Sequence, residues 1–140
     1  MRTAVIDIGT NTLLLLIVER DADGTLQPVV DLCRFGRLGQ GLDRSGVISG
    51  EAIARCLEIC RDYRAVLDEY GVTRPNVTGT QALREAKNAA EFTGPAEQIL
   101  GAPIIDGEKR IEHRCYEDGA AGMRLLHCLI IGGIGYDPVP

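Results

Sequence analysis

Positive charge is in short supply: 15 Lys and Arg stand against 20 Asp and Glu, a formal net charge of −5 at pH 7. General binders of nucleic acid or membrane surfaces rely on an excess of Lys and Arg, so neither is expected as a partner, and any polyanionic ligand needs local cations or a metal. No C-x-x-C spacing occurs among the five cysteines, Cys33, Cys56, Cys60, Cys115 and Cys128. Odd in number and set within apolar patterns, they read as small core residues of a cytoplasmic protein kept reduced. Cys56 and Cys60 lie one helical turn apart, yet no His or second Cys pair has the spacing to complete a metal site. A signal-peptide pattern is missing too, because Asp7 and Asn11 interrupt the apolar N-terminus, and no stretch is long enough to span a bilayer.

What the chain has in excess is glycine, 17 in 140 residues, gathered in short motifs rather than in a linker. The length fits one domain, and 45% apolar with 25% charged residues is ordinary for a globular one. Residues 4–8 and 13–19 form two apolar runs that read as buried strands around a short polar turn. A carboxylate, Asp7, stands near the end of the first run where a core position calls for an aliphatic side chain. Gly9 lets a ligand approach the backbone, while Thr10, Asn11 and Thr12 offer hydroxyl, amide and main-chain donors, the chemistry of a phosphate cradle. The same residues also suit a hairpin whose Asn and Thr satisfy only their own turn. Both readings stand at this point.

Further along, residues 26–35 read as a third strand of the meander, and residues 36–46 as a Gly-rich loop too long for a simple hairpin connection. Ser49 is a good N-cap and Gly71 a good C′ residue, which brackets a helix over 50–70. Its core stripe is expected to be Ile53, Cys56, Leu57, Cys60, Tyr63, Leu67 and Tyr70, with Arg55, Glu58, Asp62 and Glu69 facing water. Residues 72–78 read as a strand returning parallel to the first, which makes the fold class α/β. The turn at Gly79 and Thr80 then opens a helix of strong formers, and Arg84 sits one turn in, near enough to serve an anion at the strand ends, although a helix arginine is more commonly solvated or paired four residues away within its helix. Gly94-Pro95 is expected to break that helix, residues 96–100 to resume it, and residues 102–106 to form a short strand. A charged helix follows from Glu108, carrying Lys109, Arg110, Glu112, His113 and Arg114, and then an apolar strand running into Gly132, Gly133, Ile134 and Gly135.

Taken together, these segments resemble the N-terminal domain of the exopolyphosphatase and guanosine pentaphosphate phosphatase family, part of the actin, hexokinase and Hsp70-like superfamily. The likeness covers residues 4–19, 37–49, the long helix, and 79–92 with its Thr80-x-Ala82-Leu83-Arg84-x-Ala86-x-Asn88 pattern. It implies a ribonuclease-H-like domain, a mixed sheet flanked by helices, with residues 1–140 as a single half of the usual two-domain unit. It further implies that Asp7 positions a divalent metal, Mg²⁺, that Gly9, Thr10, Asn11 and Thr12 hold phosphate, and that Thr80 and Arg84 line the same cleft. The reaction implied is release of the terminal phosphate from inorganic polyphosphate or guanosine pentaphosphate, with a glutamate activating water.

Past Phe92 the likeness weakens. Where the family carries Ser-Gly-x-Glu-Glu-Ala-Arg, this chain runs from Asp106 to Arg114, and an ungapped alignment sets Arg110 on the catalytic glutamate. A two-residue insertion sets Glu112 there instead and Arg114 on the motif's arginine, and this version is preferred. The second phosphate loop survives as Gly132 and Gly133, with Ile130 in place of its aspartate and no serine. The cleft is therefore expected to lack the second domain that closes it, unless a homo-oligomer supplies one, and the isolated chain to be weak or inactive as a hydrolase. The alternative is a truncated, non-catalytic phosphate-binding remnant, and a kinase of the same superfamily is a more distant third.

Overall fold

The computed structural model describes residues 1–79 and 81–106. Its elements run β1 (Arg2–Ile8), β2 (Leu13–Arg20), β3 (Leu26–Arg34), α1 (Leu42–Ser45), α2 (Gly50–Glu69), β4 (Asn76–Gly79), α3 (Gln81–Glu85), α4 (Ala89–Leu100) and β5 (Ile104–Asp106). The five strands form one mixed sheet in the order β3-β2-β1-β4-β5. β1 to β3 are an antiparallel meander, while β4 and β5 run parallel to β1, as the strand–helix–strand order of the sequence requires.

Alternation along β1 and β2 sorts the sheet into two faces. Ala4, Ile6, Ile8, Leu13, Leu15 and Ile17 join the main core beneath α2 and α4, which contribute Cys56, Cys60, Tyr63, Phe92 and Leu100. Val5, Leu16 and Val18 form a smaller cluster on the opposite face, packed with Leu26. Asp7 belongs by position to that second face. At the edge, the ladder between β2 and β3 slips at Ile17 and Val18, a bulge that also accommodates Pro28.

α2 is bracketed as its caps demand. Ser49 Oγ accepts from Ala52 N at 3.1 Å, and Gly71 at φ 75 closes a Schellman end in which Val72 N donates to Leu67 O at 2.8 Å. The stripe is wider than its spacing alone predicts: Ala52 and Ile59 are buried with Cys56, Cys60, Tyr63 and Leu67, while Ile53, Leu57 and Tyr70 are half-buried. Nor does Arg55 simply face water, since its Nε donates to Gly36 O at 2.7 Å.

Two further expectations are corrected. The helix opened after Gly79 ends at Glu85, and the interruption falls at Asn88 rather than at Gly94-Pro95. Asn88 Oδ1 accepts from Ile48 N at 2.7 Å and its Nδ2 donates to Ile48 O at 2.9 Å, so it is clasped to another loop and cannot continue α3. α4 then passes through Gly94 and Pro95 unbroken. Gly94 has no Cβ to meet the proline ring, and both residues are exposed, where water can satisfy the carbonyl that Pro95 leaves without a donor.

Candidate functional site

The site begins with the register of two parallel strands. Asp7 pairs with Thr78 across β1 and β4, so both side chains leave the sheet on the same face. Thr78 is fully buried and Asp7 is 8% exposed. The Thr78 hydroxyl donates to Asp7 Oδ1 at 3.1 Å and lies 3.4 Å from Ile6 O. A carboxylate so placed is aimed by its neighbour, and a charge-assisted bond of this kind is stronger than one between neutral groups. Thr78 is a site residue that sequence reasoning misses, because its role depends on a partner 71 positions away.

Beyond Ile8 the chain turns through Gly9 to Thr12. Gly9 N donates to Thr12 O at 2.8 Å, so the turn closes on its own backbone. Among the described residues, the side chains of Thr10, Asn11 and Thr12 make no hydrogen bond, which removes the reading in which they only satisfy their own turn. The turn is instead held from outside. Gly39 N donates to Thr10 O and Arg37 N to Asn11 O, both at 3.0 Å, stapling the loop after β3 against it. A Cβ on Gly39 would clash with Thr10 Cγ2, so only glycine permits this approach. Arg55 of α2 fixes the far side of the loop through Gly36 O, and Cys56 Sγ contacts the same carbonyl at 3.4 Å.

Arg84 sits differently from Asp7. Its Nη1 donates to Asp106 Oδ1 at 2.9 Å, and the two side chains are 30% and 31% exposed. Asp106 shares a register row with Gly79 and Ile8, whereas Asp7 shares one with Thr78 and Ile105. The two rows face opposite sides of the sheet, so the ion pair is built on the side of the main core. Gly79, Leu83, Arg84, Thr93, Ile104, Ile105 and Asp106 line a surface cavity of about 190 Å³, which thus reaches residues of both rows. Thr80, Glu112, Gly132 and Gly133 lie outside the described residues.

The buried thiols take no part in this chemistry. Burial pushes Cys56 up to about 11 and Cys60 up to about 12, so both stay protonated near neutrality. Among the described residues no group of three or more His, Cys, Asp and Glu is arranged to hold a metal ion. No described helix is long and apolar enough to cross a membrane.

A mixed sheet ordered β3-β2-β1-β4-β5 with flanking helices is that of an actin- and hexokinase-like ATPase fold, as its structural neighbours show. The chain belongs to the Ppx/GppA phosphatase family, whose model matches residues 17–115. It is 35% identical over 136 residues to a guanosine-5'-triphosphate,3'-diphosphate pyrophosphatase of Vibrio cholerae serotype O1, an alignment covering 93% of this chain and 27% of that protein. Among solved structures, the Aquifex aeolicus family member superposes with a TM-score of 0.71 at 30% identity, over 79% of this chain and 36% of that one. An exopolyphosphatase from Cytophaga hutchinsonii superposes with a TM-score of 0.71 at 32% identity over the same shares. The chain thus spans about a quarter of the curated relative and about a third of the solved ones.

Proposed function

We propose that this chain is the phosphate-holding half of a phosphoanhydride hydrolase, binding the terminal phosphates of guanosine pentaphosphate or inorganic polyphosphate at the β1–β2 turn. The observation that carries the reading is the joint one at that turn: a buried carboxylate, Asp7, oriented by Thr78, beside a polar turn of Thr10, Asn11 and Thr12 whose backbone is held by the loop after β3. Phosphoryl transfer asks mainly for positioning and charge neutralisation, and these residues are of the type and spacing to supply both. Gly9 leaves the backbone open to a phosphate oxygen, while Thr10, Asn11 and Thr12 donate to it. Asp7 would hold Mg²⁺, which when bound neutralises phosphate charge. Thr80, Gly132 and Gly133 are assigned to the remaining phosphate oxygens, and Glu112 to the proton of the attacking water, from their places in the family's motifs; Arg84 has the same motif warrant, but it could join them only by leaving Asp106. The compartment that suits this reading is the cytoplasm.

The relatives' names support the substrate class: one acts on a guanosine polyphosphate and another is an exopolyphosphatase. The test is phosphate release from both substrates by the 140-residue chain with Mg²⁺, beside Asp7→Asn. Release that depends on Asp7 supports a hydrolase; tight Asp7-dependent binding without release supports the second reading, a phosphate-binding module. Ile130, standing where the second phosphate loop has its aspartate, favours that second reading.

A further inference from the structure

The first four residues of the loop that staples the phosphate turn, 36–39, have almost no freedom to present side chains, although Gln40, Asp43, Arg44 and Ser45 beyond them are exposed. A Cβ on Gly36 would lie 2.6 Å from Cys56 Sγ and 2.7 Å from Leu13 Cδ1, and one on Gly39 would strike Thr10. Leu38 between them is fully buried in the core. Arg37 alone points a side chain into solvent from this stretch.

Its backbone is unusual as well. Arg37 has φ 50, and among the described residues it is the one non-glycine with a positive φ. Side chains adopt that region only at a cost, and glycine would occupy it freely. An exposed arginine buries nothing that would offset the strain, and strain of this kind is characteristically kept at sites that use the side chain. Arg37 N donates to Asn11 O at 3.0 Å, while Arg37 O accepts from Gln40 N at 3.1 Å and lies 3.4 Å from Arg55 Nη2. The Cα is therefore fixed beside Asn11, within an arginine's reach of the groups at Thr10 to Thr12.

Charge completes the case. Arg2, Arg34, Arg64 and Arg84 each face a carboxylate; Arg37 makes no ion pair among the described residues, as is also true of Arg20, Arg44, Arg55, Arg61 and Arg74, but of these it is the one whose backbone is bonded to the turn. The turn itself carries no cation, and the Arg84 guanidinium is held by Asp106 in the opposite register row. The geometry points to Arg37 as a further phosphate-binding residue, its guanidinium receiving the phosphoanhydride chain held by the Gly9–Thr12 turn. A planar fork suits the paired oxygens of a phosphate better than an ammonium does. The inference rests on the reading of the turn as a phosphate site.

The experiment is titration calorimetry of the 140-residue chain with tripolyphosphate and Mg²⁺, on the unaltered protein and on Arg37→Gly, Arg37→Gln, Arg37→Lys and Asp7→Asn. Arg37→Gly should keep or raise the melting temperature, because it relieves the positive φ, yet weaken binding about ten- to a hundredfold, as loss of a charged hydrogen bond does. Arg37→Gln should weaken it similarly and guards against any loosening of the loop by glycine, while Arg37→Lys should recover part of the loss. The salt dependence should also become shallower in the uncharged variants. If Arg37→Gly and Arg37→Gln bind as the unaltered chain does, while Asp7→Asn does not, this inference fails and the phosphate site stands. If the unaltered chain binds no tripolyphosphate, both fall.

Discussion

Thr78 and Asp7 occupy one register row of two parallel strands, and the threonine hydroxyl donates to the aspartate Oδ1 at 3.1 Å. The bond does two things at once: it satisfies a carboxylate that burial would otherwise penalise, and it sets the direction of the oxygens that remain.

Thr78→Val tests the first effect directly. It keeps the β-branched shape and removes only the donor, so stability should fall by about 1–3 kcal/mol, the usual cost of depriving a buried charged group of one hydrogen bond. Mg²⁺-dependent phosphate binding should weaken with it, and Thr78→Ser should restore both. Urea denaturation and calorimetry on the three proteins provide the comparison, and equal stability of Thr78→Val and the unaltered chain would contradict the structural role.

The close approach behind the turn gives a second prediction. Gly39→Ala drives a methyl group toward Thr10 and should cost about 1–3 kcal/mol by overpacking, with displacement of the turn and loss of phosphate affinity. Gly50→Ala is the control: nothing lies within 4 Å of its Cβ, at the first position of α2, and it should be neutral or stabilising by up to about 1 kcal/mol. Thermal melts rank the two, and a neutral Gly39→Ala would show that the staple is looser than the approach of Gly39 to Thr10 requires.

How much of the fold and of the site is legible in the amino-acid sequence depends on the range of each interaction. Asp7 stands out because a carboxylate breaks an aliphatic alternation, and Ser49 and Gly71 mark α2 because capping is a matter of neighbouring residues. The parallel return of β4 follows from the order of elements. Thr78, Arg55 and Asn88 escape a reading of the sequence, since each acts on groups distant along the chain: Asp7, the Gly36 carbonyl and Ile48. A helix arginine such as Arg55 looks solvated until the loop it caps is placed above it. Arg84 is expected beside a ligand or paired within its own helix, yet its partner is Asp106, 22 residues on. Pro95 misleads because proline is read as a breaker, although an exposed proline preceded by glycine can be carried within a helix.

Alkaline pH should expose the buried thiols. An unfolded cysteine ionises near 9.0, whereas burial holds Cys56 to about 11 and Cys60 to about 12 in the folded chain. Between those values the folded state binds more protons than the unfolded one, so stability is fully present below pH 9 and falls as pH rises toward 11 to 12. The slope approaches about 1.4 kcal/mol per pH unit for each thiol involved. Tyr63, whose hydroxyl is buried against Leu13 O at 2.6 Å, is also raised by burial and acts in the same direction at higher pH. Denaturation midpoints measured from pH 7 to 11 should decline above pH 9, less steeply in Cys60→Ala; a flat profile would contradict the burial of these groups.

Asp7 and the turn beside it are proposed to form a phosphate site that works through Mg²⁺. Asp7→Asn preserves size and can still accept from Thr78 while removing the charge that a hard cation requires. The direct measurement is tripolyphosphate binding by the unaltered chain and by Asp7→Asn, each with Mg²⁺ and with a chelator, together with a melting curve to show that both are folded. The unaltered chain should bind tightly only with Mg²⁺, and Asp7→Asn should melt normally but lose at least about tenfold in affinity and become indifferent to the chelator. Equal, Mg²⁺-dependent binding by a folded Asp7→Asn protein would contradict it.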